Sequence, residues 1–154
     1  MKSATRITTI LFAVLALTGG ATTALAHDDA TLDAVKSANG GQLRMAGIYH
    51  YELVVSKDAK EAKEYPVLVY VTDHAGLKTP TADASGTATI LAGKQKFSVA
   101  LKPNGDNSLK GFAKYTSTPD MKVVVSITLL GKQPEQARFT PLATAKDGHS
   151  DHTH

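Results

Sequence analysis

The chain has 154 residues, 42% of them hydrophobic and 6% aromatic, with 17 Lys and Arg against 14 Asp and Glu. This length allows one domain with a substantial core. The absence of cysteine excludes disulfides, thiolate zinc sites, cysteine nucleophiles, blue-copper centres and lipid-anchored lipoproteins. The lysines are scattered and not clustered, so the composition gives little support for nucleic-acid binding.

The first 26 residues have the three parts of a secretory signal peptide. Lys2 and Arg6 give a positive start, residues 7–17 are mostly apolar, and Ala24-Leu25-Ala26 has the form of a cleavage site. Removing the segment leaves 15 Lys and Arg against 14 Asp and Glu, so the expected net charge is +1. We expect a periplasmic protein that begins at His27 and has no membrane-spanning segment once residues 1–26 are cleaved.

Three segments follow the signal peptide. Residues 27–38 predict a polar N-terminal arm, either disordered or forming one or two helical turns capped by Asp28 or Asp29. Residues 39–142 predict a single β-domain. Residues 143–154 are polar and lack an apolar face, which predicts a flexible histidine-containing tail.

The β-domain contains about seven strand patterns separated by turn signals. Strands without intervening helices predict an all-β fold, a single antiparallel β-sandwich or small barrel that is immunoglobulin-like. The predicted strands lie at 48–55, 65–72, 85–92, 95–101, 108–115, 121–130 and 135–140. The predicted core is formed by side chains that share one face of a strand: Tyr49, Tyr51, Leu53, Val55, Phe97, Val99, Leu101, Val123, Val125, Ile127 and Leu129.

Catalytic motifs do not stand out, since no glycine-flanked serine and no phosphate-binding glycine loop occurs. We therefore expect that the protein is not an enzyme. The residues that point to a function are the histidines, because they can bind a metal ion. His50 and Glu52 lie two residues apart on the polar face of the first predicted strand, with Cβ atoms about 7 Å apart. They would share a metal ion if a neighbouring strand adds a ligand; alternatively, both are ordinary surface residues.

The other metal-capable side chains have competing interpretations. His74 lies beside Asp73 in a turn, where stabilisation of the turn by Asp73 is the favoured role. Met45 and Met121 are interpreted as core residues, with thioether binding of Cu(I) as the alternative.

The histidines near the two ends of the chain are further candidates. His149, His152 and His154, together with Asp151, would let a flexible tail wrap a metal ion; a plain solvated tail or a trimmed purification tag are the alternatives. His27 would chelate copper through its imidazole and free α-amine if cleavage follows Ala26, although an accidental terminal residue is the favoured interpretation.

Several runs in residues 39–140 resemble small periplasmic β-domain proteins associated with heavy-metal efflux systems. They are similar to the N-terminal region of the periplasmic adaptor subunits of metal-exporting RND pumps. The runs are Gly40-Gly41, Gly47-Ile-Tyr-His-Tyr-Glu-Leu-Val-Val55, Val69-Tyr-Val-Thr-Asp-His-Ala-Gly76, Ala84-Ser-Gly-Thr-Ala-Thr-Ile-Leu91, Leu101-Lys-Pro-Asn-Gly105 and Lys122-Val-Val-Val-Ser126. The resemblance implies metal homeostasis in the cell envelope. In that family a histidine often precedes the glycine pair, whereas Asn39 stands there in this chain.

These features predict a periplasmic protein that binds a copper, zinc or nickel ion without an organic cofactor. It would buffer the metal or hand it to an RND-type efflux pump adaptor. The alternative is a structural or interaction module of the cell envelope that docks onto such an adaptor, or another partner, through a sheet edge. A copper-dependent oxidative enzyme built on His27 would need a second histidine beside the amino terminus.

Overall fold

A computed structural model describes residues 29–60 and 63–143. The predicted signal peptide, His27 and the histidines of the predicted tail lie outside these residues. The elements are α1 (Asp29–Asp33), β1 (Gln42–Ala46), β2 (Tyr49–Val54), β3 (Lys63–Asp73), β4 (Ser85–Ala92), β5 (Gln95–Pro103), β6 (Ser108–Tyr115), β7 (Lys122–Thr128) and β8 (Glu135–Phe139). Within the described part of the chain, no helix is long and apolar enough to cross a membrane.

The strands form one antiparallel sheet in the order β1-β2-β3-β6-β5-β4-β7-β8. β5 joins the two halves, because it pairs along its length with β4 and through Lys102 and Pro103 with β6. The two end strands approach each other, and the backbone N–H of Thr140, just after β8, donates to Oε1 of Gln42 at 2.8 Å. The all-β prediction is confirmed, and of its two architectures the structure has the nearly closed, barrel-like one.

The strand that the sequence did not predict is β1. It joins β2 through a two-residue turn, since Ala46 pairs with Tyr49. Gly47 occupies this turn with φ +58°, and a side chain there would collide with the carboxylate of Glu135. The positive φ is what favours glycine here, since the Glu135 carboxylate is the end of a flexible side chain that can move aside.

Most of the predicted core is buried. Tyr51, Leu53, Val55, Val99, Leu101, Val123, Val125, Ile127 and Leu129 are buried, and Tyr49 and Phe97 pack against them from partly buried positions. Three valines of β3 and the side chains of Tyr115 and Phe139 complete the interior. The predicted alternation is confirmed in β5 and β7. In β2 it fails at Glu52, which was predicted on the polar face and is buried because the segment before β1 covers it.

The helix α1 is fixed to the barrel by one apolar and one ionic contact. Leu32 is buried, and Arg44 of β1 is also buried although it is charged. The guanidinium of Arg44 donates to both carboxylate oxygens of Asp33, at 2.7 Å and 3.2 Å, and lies 3.5 Å from Asp29. Of the two predictions for residues 27–38, the structure has the short helix at Asp29–Asp33.

Candidate functional site

The outer face of β2 carries His50 and Glu52, because the alternation that buries Tyr51 and Leu53 points these two side chains the other way. In the register with β3, His50 lies opposite Thr72. β3 ends at Asp73, so His74 lies two residues beyond Thr72, just past the end of the strand. The two imidazole rings meet edge to face, with centroids 5.0 Å apart and an angle of 62° between their planes.

A tight turn holds His74 in place. The Oδ1 atom of Asp73 accepts the backbone N–H groups of Ala75 and Leu77, each at 2.9 Å. The turn closes where Gly76, at φ +79°, donates its N–H to the carbonyl oxygen of Asp73 at 3.0 Å. The predicted role of Asp73 in stabilising the turn is confirmed, and the effect is to aim His74 back towards β2.

Glu52 is buried and acts as the anchor of the segment before β1. Its Oε1 atom accepts the backbone N–H groups of Asn39, at 2.8 Å, and Gly41, at 2.9 Å. Its Oε2 atom accepts the side-chain amide of Asn39 at 2.8 Å. A carboxylate with three N–H donors is well satisfied without water. In this structure Glu52 therefore holds residues 39–41, the Asn39 loop, against the barrel.

The glycine pair is what allows that loop to form. Gly40 has φ +73°, which places it in the left-handed region that glycine adopts at little cost. Gly41 lies so close to β2 that a Cβ would collide with the backbone carbonyl of Leu53. The pair brings Asn39 to the carboxylate, which explains in backbone terms why two glycines precede β1.

His50, His74, Glu52 and Asn39 all border one cleft of about 670 Å³. The barrel supplies one wall, and the segment after α1 supplies the other. Apolar side chains line much of the cleft: Leu32, Val35, Ala38, Leu43 and Ala75. The rim also includes the lysines Lys36 and Lys78, both exposed.

The second wall of the cleft depends on the ion pair between Asp33 and Arg44. The hydrogen bond from the Arg44 guanidinium holds the pKa of Asp33 below its ordinary value of 3.8, against an opposing effect of burial. The carboxyl group is half exposed, so solvent screens the pair and its contribution to stability is modest. The main effect of the ion pair is to fix the position of the second wall; its contribution to the free energy of unfolding is small.

The chemistry available in the cleft is that of two imidazoles. His50 is half buried, with its Nε2 atom shielded from solvent, and His74 is exposed. Among residues 29–60 and 63–143, no three His, Asp or Glu side chains form a group able to hold a metal ion. Two neutral imidazoles suit copper, zinc or nickel and leave coordination positions open.

The methionines divide between the core and the surface of β1. Met121 is completely buried in the barrel, as predicted for a core residue. Met45 is half buried and lies opposite His50 in the β1–β2 register, whereas His74 lies on the β3 side of that histidine. The thioether of Met45 is therefore a neighbour of His50 across the strands.

Sequence reasoning missed the contact between Asn39 and Glu52 and the wall formed by Leu32 and Val35. The Gly40-Gly41 pair was the available signal for the first, because adjacent glycines indicate a close approach of two backbones. Neither family models nor curated proteins match this chain.

Proposed function

We propose that this chain is an exported protein that binds a copper, zinc or nickel ion through His50 and His74 and releases it readily. The observation that carries the proposal is the approach of these two imidazoles at the edge of the cleft. The ion is the cargo of the protein, which would buffer it in the periplasm or hand it to an efflux pump adaptor.

The spacing of the two rings supports this proposal. A zinc–imidazole bond is about 2.0–2.1 Å long, so two imidazoles that bind one tetrahedral ion have ring centroids about 5 Å apart. The observed separation is 5.0 Å, so coordination would require rotation of the rings but no movement of the strands. The half-buried His50 would be the fixed ligand, and the exposed His74 would be the ligand that opens.

Glu52 and Asn39 are assigned a positioning role in this proposal. All three hydrogen bonds to the Glu52 carboxylate come from the Asn39 loop, and binding an ion would compete with them. Two protein ligands give weaker binding than the closed four-ligand sites of structural zinc, which suits a protein that passes its ion on.

Calorimetric titration with Zn²⁺, Ni²⁺ and Cu²⁺ tests the proposal. The reference is the full chain with the tail histidines removed, H149A/H152A/H154A, so that the tail cannot contribute. It is compared with the same chain carrying H50A and H74A, and with a control carrying H27A. We expect one ion per chain in the reference and the control, and loss of that ion in the H50A/H74A variant. Equal binding by all three would contradict the proposal.

The alternative function, docking through a sheet edge, has less support from the geometry. Both end strands, β1 and β8, are five residues long, and they face each other across the nearly closed seam. A partner strand would have to separate them. A partner captured from envelope extract in metal-free buffer by a chain without its six histidines would favour this alternative over metal binding.

A further inference from the structure

The cleft beside the histidine pair is much larger than a metal ion needs. A water molecule takes up about 30 Å³ in the liquid, so an ion with its remaining waters would fill a minor part of the 670 Å³. The volume instead lies within the range of clefts that bind small organic molecules, about 300–1,000 Å³. Two protein ligands also leave coordination positions that another molecule can occupy.

The lining of the cleft indicates what kind of molecule would fit. Leu43 on the barrel side and Leu32, Val35 and Ala38 on the opposite side offer apolar surface. Polar residues such as Tyr70, Thr72 and Asn107 also line the cleft, but apolar surface makes up the larger share of its lining. The charged groups at the rim are Lys36 and Lys78, of which Lys78 lies 3.9 Å from the carboxylate of Asp106, whereas Glu52 is engaged by the Asn39 loop. An apolar body with an anionic donor group would match this lining.

We propose that the ion enters this cleft as a chelate, bound to a small organic molecule with an apolar body and an anionic oxygen donor. His50 and His74 bind the ion, the chelator fills the remaining coordination positions, and its apolar body packs between Leu43 and Val35. This inference rests on the proposed function and names the form in which the cargo is recognised.

The test compares Zn²⁺ alone with two of its one-to-one complexes. 8-Hydroxyquinoline and glycine both bind zinc through one nitrogen and one anionic oxygen, but only the first carries an apolar ring system. With the tail-histidine variant H149A/H152A/H154A, we expect the hydroxyquinoline complex to bind about tenfold more tightly than the glycine complex or the hydrated ion, because its rings become buried.

Two substitutions distinguish a specific effect of the apolar wall on chelate binding from a general effect of the substitution on the protein. Val35→Ser removes apolar surface from the cleft at a side chain that is 51% exposed, so the fold should tolerate it, and it adds no charge and no carboxylate ligand for zinc. It should reduce the advantage of the hydroxyquinoline complex and leave binding of Zn²⁺ alone unchanged. Leu130→Ser alters a side chain that is 74% exposed and does not line the cleft, and it should change neither affinity.

The outcomes distinguish this inference from the proposed function. Equal affinity for Zn²⁺ and both complexes would overturn the chelate inference while leaving metal binding intact. Failure to bind zinc in any form would overturn both. Undiminished binding of the hydroxyquinoline complex by the H50A/H74A variant would also overturn the inference, because the ion would then have no part in recognition.

Discussion

Glu52 binds Asn39 at two points, accepting its backbone N–H on one carboxylate oxygen and its side-chain amide on the other, each at 2.8 Å. The contact joins the outer face of β2 to the residue that leads into the glycine pair. It therefore places the segment after α1 along the cleft that His50 and His74 border. The loop and the histidine pair border one cleft, with Glu52 as the support of the loop and the imidazoles as the proposed metal donors.

Replacing Glu52 by alanine should destabilise the protein without removing the proposed metal site. Three N–H groups lose their charged acceptor, and leaving such groups unsatisfied costs about 1–3 kcal/mol. We expect this loss in urea unfolding, together with an unchanged stoichiometry of zinc in calorimetry. Glu64→Ala, at an exposed position, is the control and should change neither. Loss of zinc binding in a folded Glu52→Ala variant would make Glu52 a ligand.

Substitution by alanine should cost more stability at Gly41, which is closely packed, than at Gly93, which has no neighbouring atom within 4 Å. Gly41→Ala forces a Cβ against the carbonyl of Leu53, and such overpacking costs about 3 kcal/mol. Gly93→Ala meets no neighbouring atom and has only the cost of φ +56°, about 1 kcal/mol. Urea unfolding of both variants checks the difference. Equal costs would mean that the backbone near Gly41 yields more easily than its packing indicates.

Much of the fold could be predicted because the strands alternate clearly. Ser85–Ala92 and Ser108–Tyr115 match their predicted bounds. β1 was missed because Gln42–Ala46 has no β-branched residue and places Arg44 where an apolar side chain is expected. Arg44 is buried only because α1 supplies carboxylates, and a strand pattern does not contain that information.

The site was predictable only within one strand. A period of two residues is enough to place His50 and Glu52 on the same face. The meeting of His50 with His74 depends on the register that pairs Tyr49 with Asp73, which local patterns do not determine. The anchoring of Asn39 depends likewise on the left-handed turn at Gly40.

Removing the hydroxyl group should lower the stability of the protein at one buried tyrosine, Tyr115, but not at the other, Tyr51. The Tyr115 hydroxyl accepts the backbone N–H of Ser56 at 2.9 Å, so Tyr115→Phe should cost about 1–2 kcal/mol. The Tyr51 hydroxyl is buried and makes no hydrogen bond within the described residues, and burial raises the pKa of this phenol above its ordinary range. Tyr51→Phe should therefore be neutral or slightly stabilising. Thermal unfolding measures both, and a larger loss for Tyr51→Phe would contradict this account.

Low pH should weaken the attachment of residues 29–38, the second wall of the cleft, to the barrel. Because Arg44 holds the pKa of Asp33 below 3.8, both the folded and the unfolded state are ionised well above that value, and the full contribution of the pair is present there. As the pH falls below 3.8, the unfolded state takes up the proton first, so the contribution is lost. The Asp33 carboxyl is half exposed, and the loss should be at most about 1 kcal/mol.

The Asp33→Asn variant should weaken the attachment of residues 29–38 to the barrel even at neutral pH. Hydrogen exchange at pH 7 should become faster in residues 29–38 and stay unchanged in β7. Asp83→Asn, at an exposed position in the loop before β4, is the matched control. Unchanged exchange in the Asp33→Asn variant would contradict this prediction and show that the other contacts, those of Leu32 and of Glu52 with the Asn39 loop, are enough to hold the wall.

Nitrogen NMR of the imidazole rings during titration with Zn²⁺ tests the central claim most directly. It is measured on the full chain with the tail histidines replaced by alanine. The account predicts that one nitrogen of His50 and one of His74 shift together and reach completion at one equivalent of zinc, while His27 stays unchanged. Shifts confined to His27, or independent shifts of His50 and His74 at different zinc concentrations, would contradict it.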